Sequence, residues 1–208
     1  MRQANLSQVL TLIHQHGALR RSDLTLMTGL NRSTILDLVA NLQKHGLVTQ
    51  TRTSGVGEIG RPSIEVAASD AIVSFVVIPR LGEITIGVVG LGGNVVMRQR
   101  QALPEGATPE FAAGLAGEVI NQLKKTLGKG TRIAGIGVAA PGQVRVKIGN
   151  VRFAPSLGWR ESSFAALLEA HTNLPVRLDN DASLACAAEQ TFGAGAGFDN
   201  MVFLIGVP

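Results

Sequence analysis

Apolar side chains recur at helical spacing from the start of the chain. Leu6, Val9, Leu10, Leu12 and Ile13 share one face, and Gly17 stops the run. Ser22 is positioned to cap a short helix over Asp23–Thr28, with Leu24 and Met27 turned inward. Gly29 permits a tight turn, and Asn31 caps a third helix whose stripe is Ile35, Leu38, Val39 and Leu42, ended by Gly46. Leu47–Arg52, a Gly-rich tip at Ser54–Gly60 and Pro62–Ala67 then predict a two-stranded ribbon.

The pattern changes after the small polar junction at Ala67–Asp70. Ile72–Ile78 is a near-continuous β-branched run, Glu83–Val89 alternates, and Asn94–Gln101 follows the turn at Gly90–Gly93, which predicts an antiparallel meander. Phe111–Leu127 is a helix with Leu115, Val119, Ile120, Leu123 and Leu127 on its face. Ile133–Val138 is a buried strand, Val144–Ile148 a shorter one, and Pro155 and Trp159 lie in a loop. Helices over Ser162–His171 and Asp181–Phe192 flank a strand at Val176–Leu178, and Met201–Val207 is a last apolar strand. The expected class is α/β: residues 1–68 form one domain, and residues 72–208 form a mostly parallel sheet covered by helices.

Three helices, a Gly turn and a β-ribbon in this order make a winged helix-turn-helix, whose third helix presents its first residues to a major groove. Asn31, Arg32, Ser33 and Thr34 occupy that position. Arg61, at the base of the wing, is placed to enter a minor groove, and Arg20, Arg21 and Lys44 are candidate phosphate contacts. Small winged modules also mediate protein contacts, so the pattern leaves both partners open. In the larger domain, ligands are expected in loops at strand C-termini. Two such loops stand out, Gly135–Gly142 and Leu178–Ser183.

Composition narrows this further. With 45% hydrophobic residues the chain has material for a sizeable core, which excludes a disordered tail. Its longest apolar runs fall far short of the ~20 residues of a membrane span, and polar Asn5, Ser7, Gln8, His14 and Gln15 break any leader-like stretch. A cytoplasmic protein with no membrane partner is expected. Cys186 is the only cysteine, so it has no partner for an internal disulfide and makes no zinc site alone. The net charge of +4 is concentrated at the front: residues 1–68 carry seven Lys/Arg against four acids. That bias agrees with a nucleic-acid partner for the winged segment.

Several segments together resemble the ROK (repressor, open reading frame, kinase) family, here its transcriptional regulators. They are Thr28-Gly29-Leu30-Asn31-Arg32-Ser33-Thr34 and Gly60-Arg61-Pro62 in the first domain, then the loop at Ala139–Gly142 and Ala154-Pro155-Ser156-Leu157-Gly158-Trp159. Asp179-Asn180-Asp181-Ala182-Ser183, Glu189 and Phe192-Gly193-Ala194-Gly195 complete the set. The resemblance spans essentially the whole chain. It implies that residues 72–208 are the first lobe of an actin-like, ribonuclease-H-like ATPase fold. In the family's kinases the position of Asp181 is the general base and that of Asn180 binds the sugar, so Gly142, Gly158, Asn180 and Asp181 become sugar-binding candidates. From the residues alone, Asp181 is equally a helix cap and Asn180 a turn residue.

The resemblance also has departures. Where the kinases carry an Asp, close glycines and a Thr at the first hairpin, this chain has Ile78-Pro79-Arg80-Leu81-Gly82-Glu83. Pro79 lacks an N–H and Arg80 brings a positive charge to the metal's place, which leaves phosphate clamping without its parts. No catalytic residue is therefore expected, and Asp181 is a vestigial base candidate. The family's zinc motif is not present in this chain, so no cofactor or metal is expected. Ending at Pro208, where a second lobe would begin, the chain reads as a fragment or a truncated form. The expected function is a sequence-specific repressor of carbohydrate-related genes. It would bind an operator as a homodimer and sense a sugar or sugar phosphate. The alternative is an ATP-dependent sugar kinase using Asp181 as base.

Overall fold

The computed structural model describes residues 2–53 and 63–205. The chain divides into two compact units, one comprising Met1–Ile72 with Gly90–Asn94 and the other Val73–Val89 with Val95–Pro208. The short turn Gly90–Asn94 thus goes with the first unit, tied there by Leu91 N–H donating to the Ile72 carbonyl at 2.9 Å.

In the first unit, α1 (Arg2–His16), α2 (Arg21–Thr28) and α3 (Arg32–Lys44) pack with a small sheet in which β3 (Ser63–Ala68) lies between β1 (Leu19–Arg20) and β2 (Val48–Thr53). Pairing is antiparallel throughout, with Val48 opposite Ala68 and Leu19 opposite Val66. The core joins Val9 and Ile13 of α1, Leu24 of α2, the α3 stripe Ile35, Leu38, Val39 and Leu42, and Val48 and Val66 of the ribbon. Gly29, at φ +69°, ends α2 in the left-handed conformation that a side chain resists. The start of α2 differs from expectation. It begins at Arg21, and Asp23 rather than Ser22 supplies the acceptor, its carboxylate taking the Arg20 N–H at 3.1 Å. The expected wing tip, Ser54–Gly60, and Arg61 lie outside the described residues.

In the second unit a five-stranded sheet has the order β11-β7-β4-β5-β6, built from β4 (Ile72–Arg80), β5 (Glu83–Gly90), β6 (Val95–Ala102), β7 (Arg132–Ala140) and β11 (Val176–Asn180). β7 and β11 run parallel, with Ala140 beside Asn180, whereas β5 and β6 are antiparallel. The sheet is therefore mixed rather than mostly parallel, because a two-residue turn can join only antiparallel strands and the crossovers come later. Helix α4 (Pro109–Thr126), capped by Thr108, packs with α5 (Phe164–Thr172), and their buried faces join Phe75, Ile84, Ile86 and Val138 of the sheet in one core.

Three local expectations fail here. The segment expected as a loop around Pro155 and Trp159 forms a hairpin, β9 (Asn150–Ala154) and β10 (Trp159–Ser162), beside the short β8 (Gln143–Arg145). Pro155 and Gly158 mark only its 3₁₀ turn at Pro155–Leu157, and the flanking strands are too short to show alternation. The strand expected over Val144–Ile148 breaks into β8 and a 3₁₀ turn at Val146–Ile148. Residues 201–205 of the expected strand Met201–Val207 form no strand, and 206–208 lie outside the described residues. Val202 and Leu204 are 85% and 87% exposed, since apolar, β-prone residues need a neighbouring strand to pair with before they adopt the form. Helix α6 (Asp181–Phe192) follows β11 directly and buries none of its residues fully. Among the described residues, no helix is long and apolar enough to cross a membrane.

Candidate functional site

Two surfaces gather the residues singled out by sequence. The first is the N-terminal turn of α3. The Asn31 Oδ1 accepts the Thr34 N–H at 2.8 Å and the Ser33 hydroxyl at 2.8 Å, so the cap satisfies one of the helix's orphan donors and holds Ser33 against it. Asn31, Arg32 and Ser33 are exposed, and Arg32 has no hydrogen-bond or ion-pair partner among the described residues. The opposite face of the same helix is committed to the core, which leaves this turn facing outward.

The other basic candidates of this unit separate. Arg20 is exposed, whereas Arg21 is half-buried and donates to the Gln50 side-chain carbonyl, Gln50 in turn donating to Gln43. Lys44 is exposed at the far end of α3, about 18 Å from Arg32 along the axis at ~1.5 Å per residue. Arg32 and Lys44 cannot share one contact. Arg2 and Asn5 of α1, which sequence reasoning passed over, line a hollow of about 310 Å³ with Thr34 and Asp37.

The second surface is a cavity of about 650 Å³ in the larger unit, at the C-terminal ends of β4 and β7 and the start of α6. Its polar lining is Arg80, Ser156 and Asp181, and its apolar walls include Ile78, Leu81, Pro141 and Leu184. That volume is in the usual range of roughly 300–1,000 Å³ for small-molecule pockets. Asp181 is half-buried. Its Oδ1 accepts the Ala182 N–H at 2.9 Å and the Asn180 amide at 3.3 Å, while Oδ2 has no partner among the described residues. One carboxylate oxygen is thus held by the protein and the other remains available as an acceptor.

Asn180 has a different task. Its Oδ1 caps α6 by accepting the Ser183 N–H at 2.9 Å, and its amide donates to the Gly142 carbonyl at 2.8 Å. Both amide hydrogens are spent on Gly142 and Asp181, so Asn180 braces two loops beside the cavity and does not line it. Gly142 does not line it either. At φ +85°, a Cβ there would press on the Phe153 carbonyl and stand 2.9 Å from the Ala154 Cα, so only glycine lets the two loops meet. Gly158 ends the 3₁₀ turn at φ +70°, with nothing near an added Cβ. Its role is conformational, and from that turn it is Ser156 that reaches the cavity. Trp159 anchors the turn: it is buried, donates from Nε1 to the Ala107 carbonyl at 2.8 Å, and packs on Phe164 with ring centroids 4.9 Å apart.

Of the four sugar candidates, then, the structure puts Asp181 at the cavity and the other three around it. Leu184 and Ala185, one turn into α6, were not foreseen, although an (i, i+3, i+4) relation to Asp181 was available as a signal. Among the described residues no cluster of three His, Cys, Asp or Glu side chains could hold a metal ion, and Cys186 stands half-buried on α6.

The ROK family model matches residues 81–206. The xylose repressor of Bacillus spizizenii is 25% identical over 204 residues, covering 98% of this chain and 53% of that protein. The glucokinase of Streptomyces coelicolor is 31% identical over 120 residues, 58% of this chain and 36% of that one. Among solved structures, a ROK family transcriptional regulator described as a homologue of the E. coli MLC protein superposes with a TM-score of 0.69 at 23% identity, covering 92% of this chain and 48% of that one. The chain spans about half the length of the repressors it matches.

Proposed function

The chain belongs to the ROK family, and from that premise we propose that it is a sugar-responsive transcriptional repressor that binds operator DNA. On this reading α1–α3 and the β2–β3 ribbon are a winged helix-turn-helix, and the second unit is the effector domain. The observation that carries the proposal is the exposed N-terminal turn of α3, where Arg32 and Ser33 project from a helix locked on its other face by four core residues. A guanidinium there matches the O6/N7 edge of guanine, and short hydroxyls reach bases or phosphates. The xylose repressors match across both units, which supports joining DNA binding to sugar control in one chain. Two half-sites would be read by a homodimer, and Arg61, outside the described residues, is assigned to the adjacent minor groove.

Ligand control follows from linkage. A sugar that binds one arrangement of the dimer better than the other shifts operator affinity by that difference. The test is a mobility-shift titration against the chain's own upstream DNA and random duplex at one fixed salt concentration. Specific retardation is expected, and Arg32→Ala should cost about 1–3 kcal/mol of operator affinity and relax base choice. Equal affinity for operator and random duplex would remove the proposal.

A second reading, ATP-dependent phosphorylation of a hexose, draws on the open Oδ2 of Asp181 and the similarity to glucokinase. Against it, Pro79 and Arg80 stand where nucleotide phosphates and their metal would need backbone donors and an acid. ADP release across a hexose panel, abolished by Asp181→Asn, would reverse the ranking.

A further inference from the structure

We propose that the ligand of the 650 Å³ cavity is a monosaccharide carrying an anionic group, with Arg80 as the residue that selects the charge. The inference rests on the sugar-responsive reading above and adds the chemical class of the ligand.

Arg80 is the last residue of β4, exposed, and lines the cavity together with Asp181 and Ser156. Arg80 enters neither the Glu83–Arg100 nor the Arg145–Glu161 ion pair, and its guanidinium has no acidic partner among the described residues. Glu83, the nearest acid in sequence, is already turned toward Arg100 across the β5–β6 pair. The preceding residue, Pro79, is buried and has no N–H to offer. Pro79 therefore adds no backbone donor here, and Arg80 is the one cationic side chain among the residues that line the cavity.

The two charged groups divide the ligand between them. The carboxylate oxygen Oδ2 of Asp181 accepts only from donors, which in a sugar are hydroxyls, and it repels an anion. Arg80 has five donors in a planar fork, which suit a phosphate or carboxylate in two parallel bonds. Between them, Leu81, Pro141 and Leu184 offer apolar surface to the C–H face of a pyranose ring. A neutral sugar engages Asp181 and the walls and leaves the guanidinium solvated. An anionic one adds charge-assisted bonds, which corresponds to affinity on the order of ten- to a hundredfold tighter.

Calorimetric titration of the full chain decides this with four ligands: a neutral hexose, its 6-phosphate, the corresponding hexuronate, and inorganic phosphate alone. One or both charged sugars should bind at least about tenfold more tightly than the neutral parent, and inorganic phosphate weakly. The phosphate and uronate arms then tell which anion the site takes. Arg80→Ala should erase the preference, bringing the charged sugars to the affinity of the neutral parent measured on the same variant, and Asp181→Asn should weaken neutral and charged sugars alike. Because Arg80 is exposed, its variant is expected to fold, which the Trp159 emission checks. Equal affinity for neutral and charged sugars, or a preference that survives Arg80→Ala, overturns the inference and leaves the sugar-responsive reading intact. Failure of every sugar to bind overturns both.

Discussion

Replacing Asn180 separates a scaffold role from a ligand role. The resemblance makes this residue a sugar contact, whereas its amide and carbonyl are engaged by Gly142 and by the first turn of α6. Asn180→Ala removes an N-cap, worth about 1 kcal/mol, and a half-exposed hydrogen bond between loops worth a further 0.5–1 or so. The expected loss is about 2 kcal/mol, or on the order of 8 °C in the melting of this unit. Asn180→Ser keeps an oxygen for the cap but is too short to reach Gly142, so about half the loss should return. Asn180→Asp also keeps the cap, yet it turns the donor facing the Gly142 carbonyl into an acceptor beside Asp181, and should be less stable than the serine variant. Urea denaturation followed by tryptophan emission is the assay, because Trp159 is the only tryptophan and lies buried in this unit. It reports the one unit even if the two melt separately. A native midpoint for Asn180→Ala, combined with lost sugar binding, would refute the assignment and make Asn180 a direct ligand contact.

Two further outcomes concern charge. Arg20→Ala should lower the salt dependence of operator binding by about one unit of slope with stability unchanged, whereas Arg21→Ala should destabilise the first unit and leave the slope alone, since Arg21 is tied to Gln50. Denaturation midpoints and affinities at several salt concentrations separate the two. Lys124 donates to the Thr172 carbonyl at 2.6 Å at the end of α5, and partial burial lowers its pKa from the usual 10.5. The folded state therefore binds fewer protons than the unfolded one just below pH 10.5, so this residue makes stability rise with pH in that window. Lys124→Met should flatten the rise in urea midpoints measured across it.

Much of the design was readable along the chain because it obeys local rules. The α3 stripe of Ile35, Leu38, Val39 and Leu42 with Asn31 as its cap follows from a 3.6-residue period and one side-chain oxygen. The same holds for the meander β4–β6, and for Asp179-Asn180-Asp181 as the passage from a strand to a helix. Arg80 and Asp181 both stand out in the sequence, each for its own reason.

What needed the fold is whatever depends on residues far apart in sequence. No periodicity says that Arg80 and Asp181 line one cavity; that follows from the strand order β7-β4, with α6 starting where β11 ends. Arg20 and Arg21 are neighbours with identical side chains, yet one faces water and the other Gln50, because consecutive positions at a helix start point different ways and β2 covers only one of them. The hairpin at β9 and β10 exists because each strand finds a partner, and residues 201–205, more apolar than either, form none because they find no partner among the described residues. Periods and caps are written within a turn of helix or a few residues of strand, whereas pairing and side-chain direction are settled by whichever distant segment packs alongside.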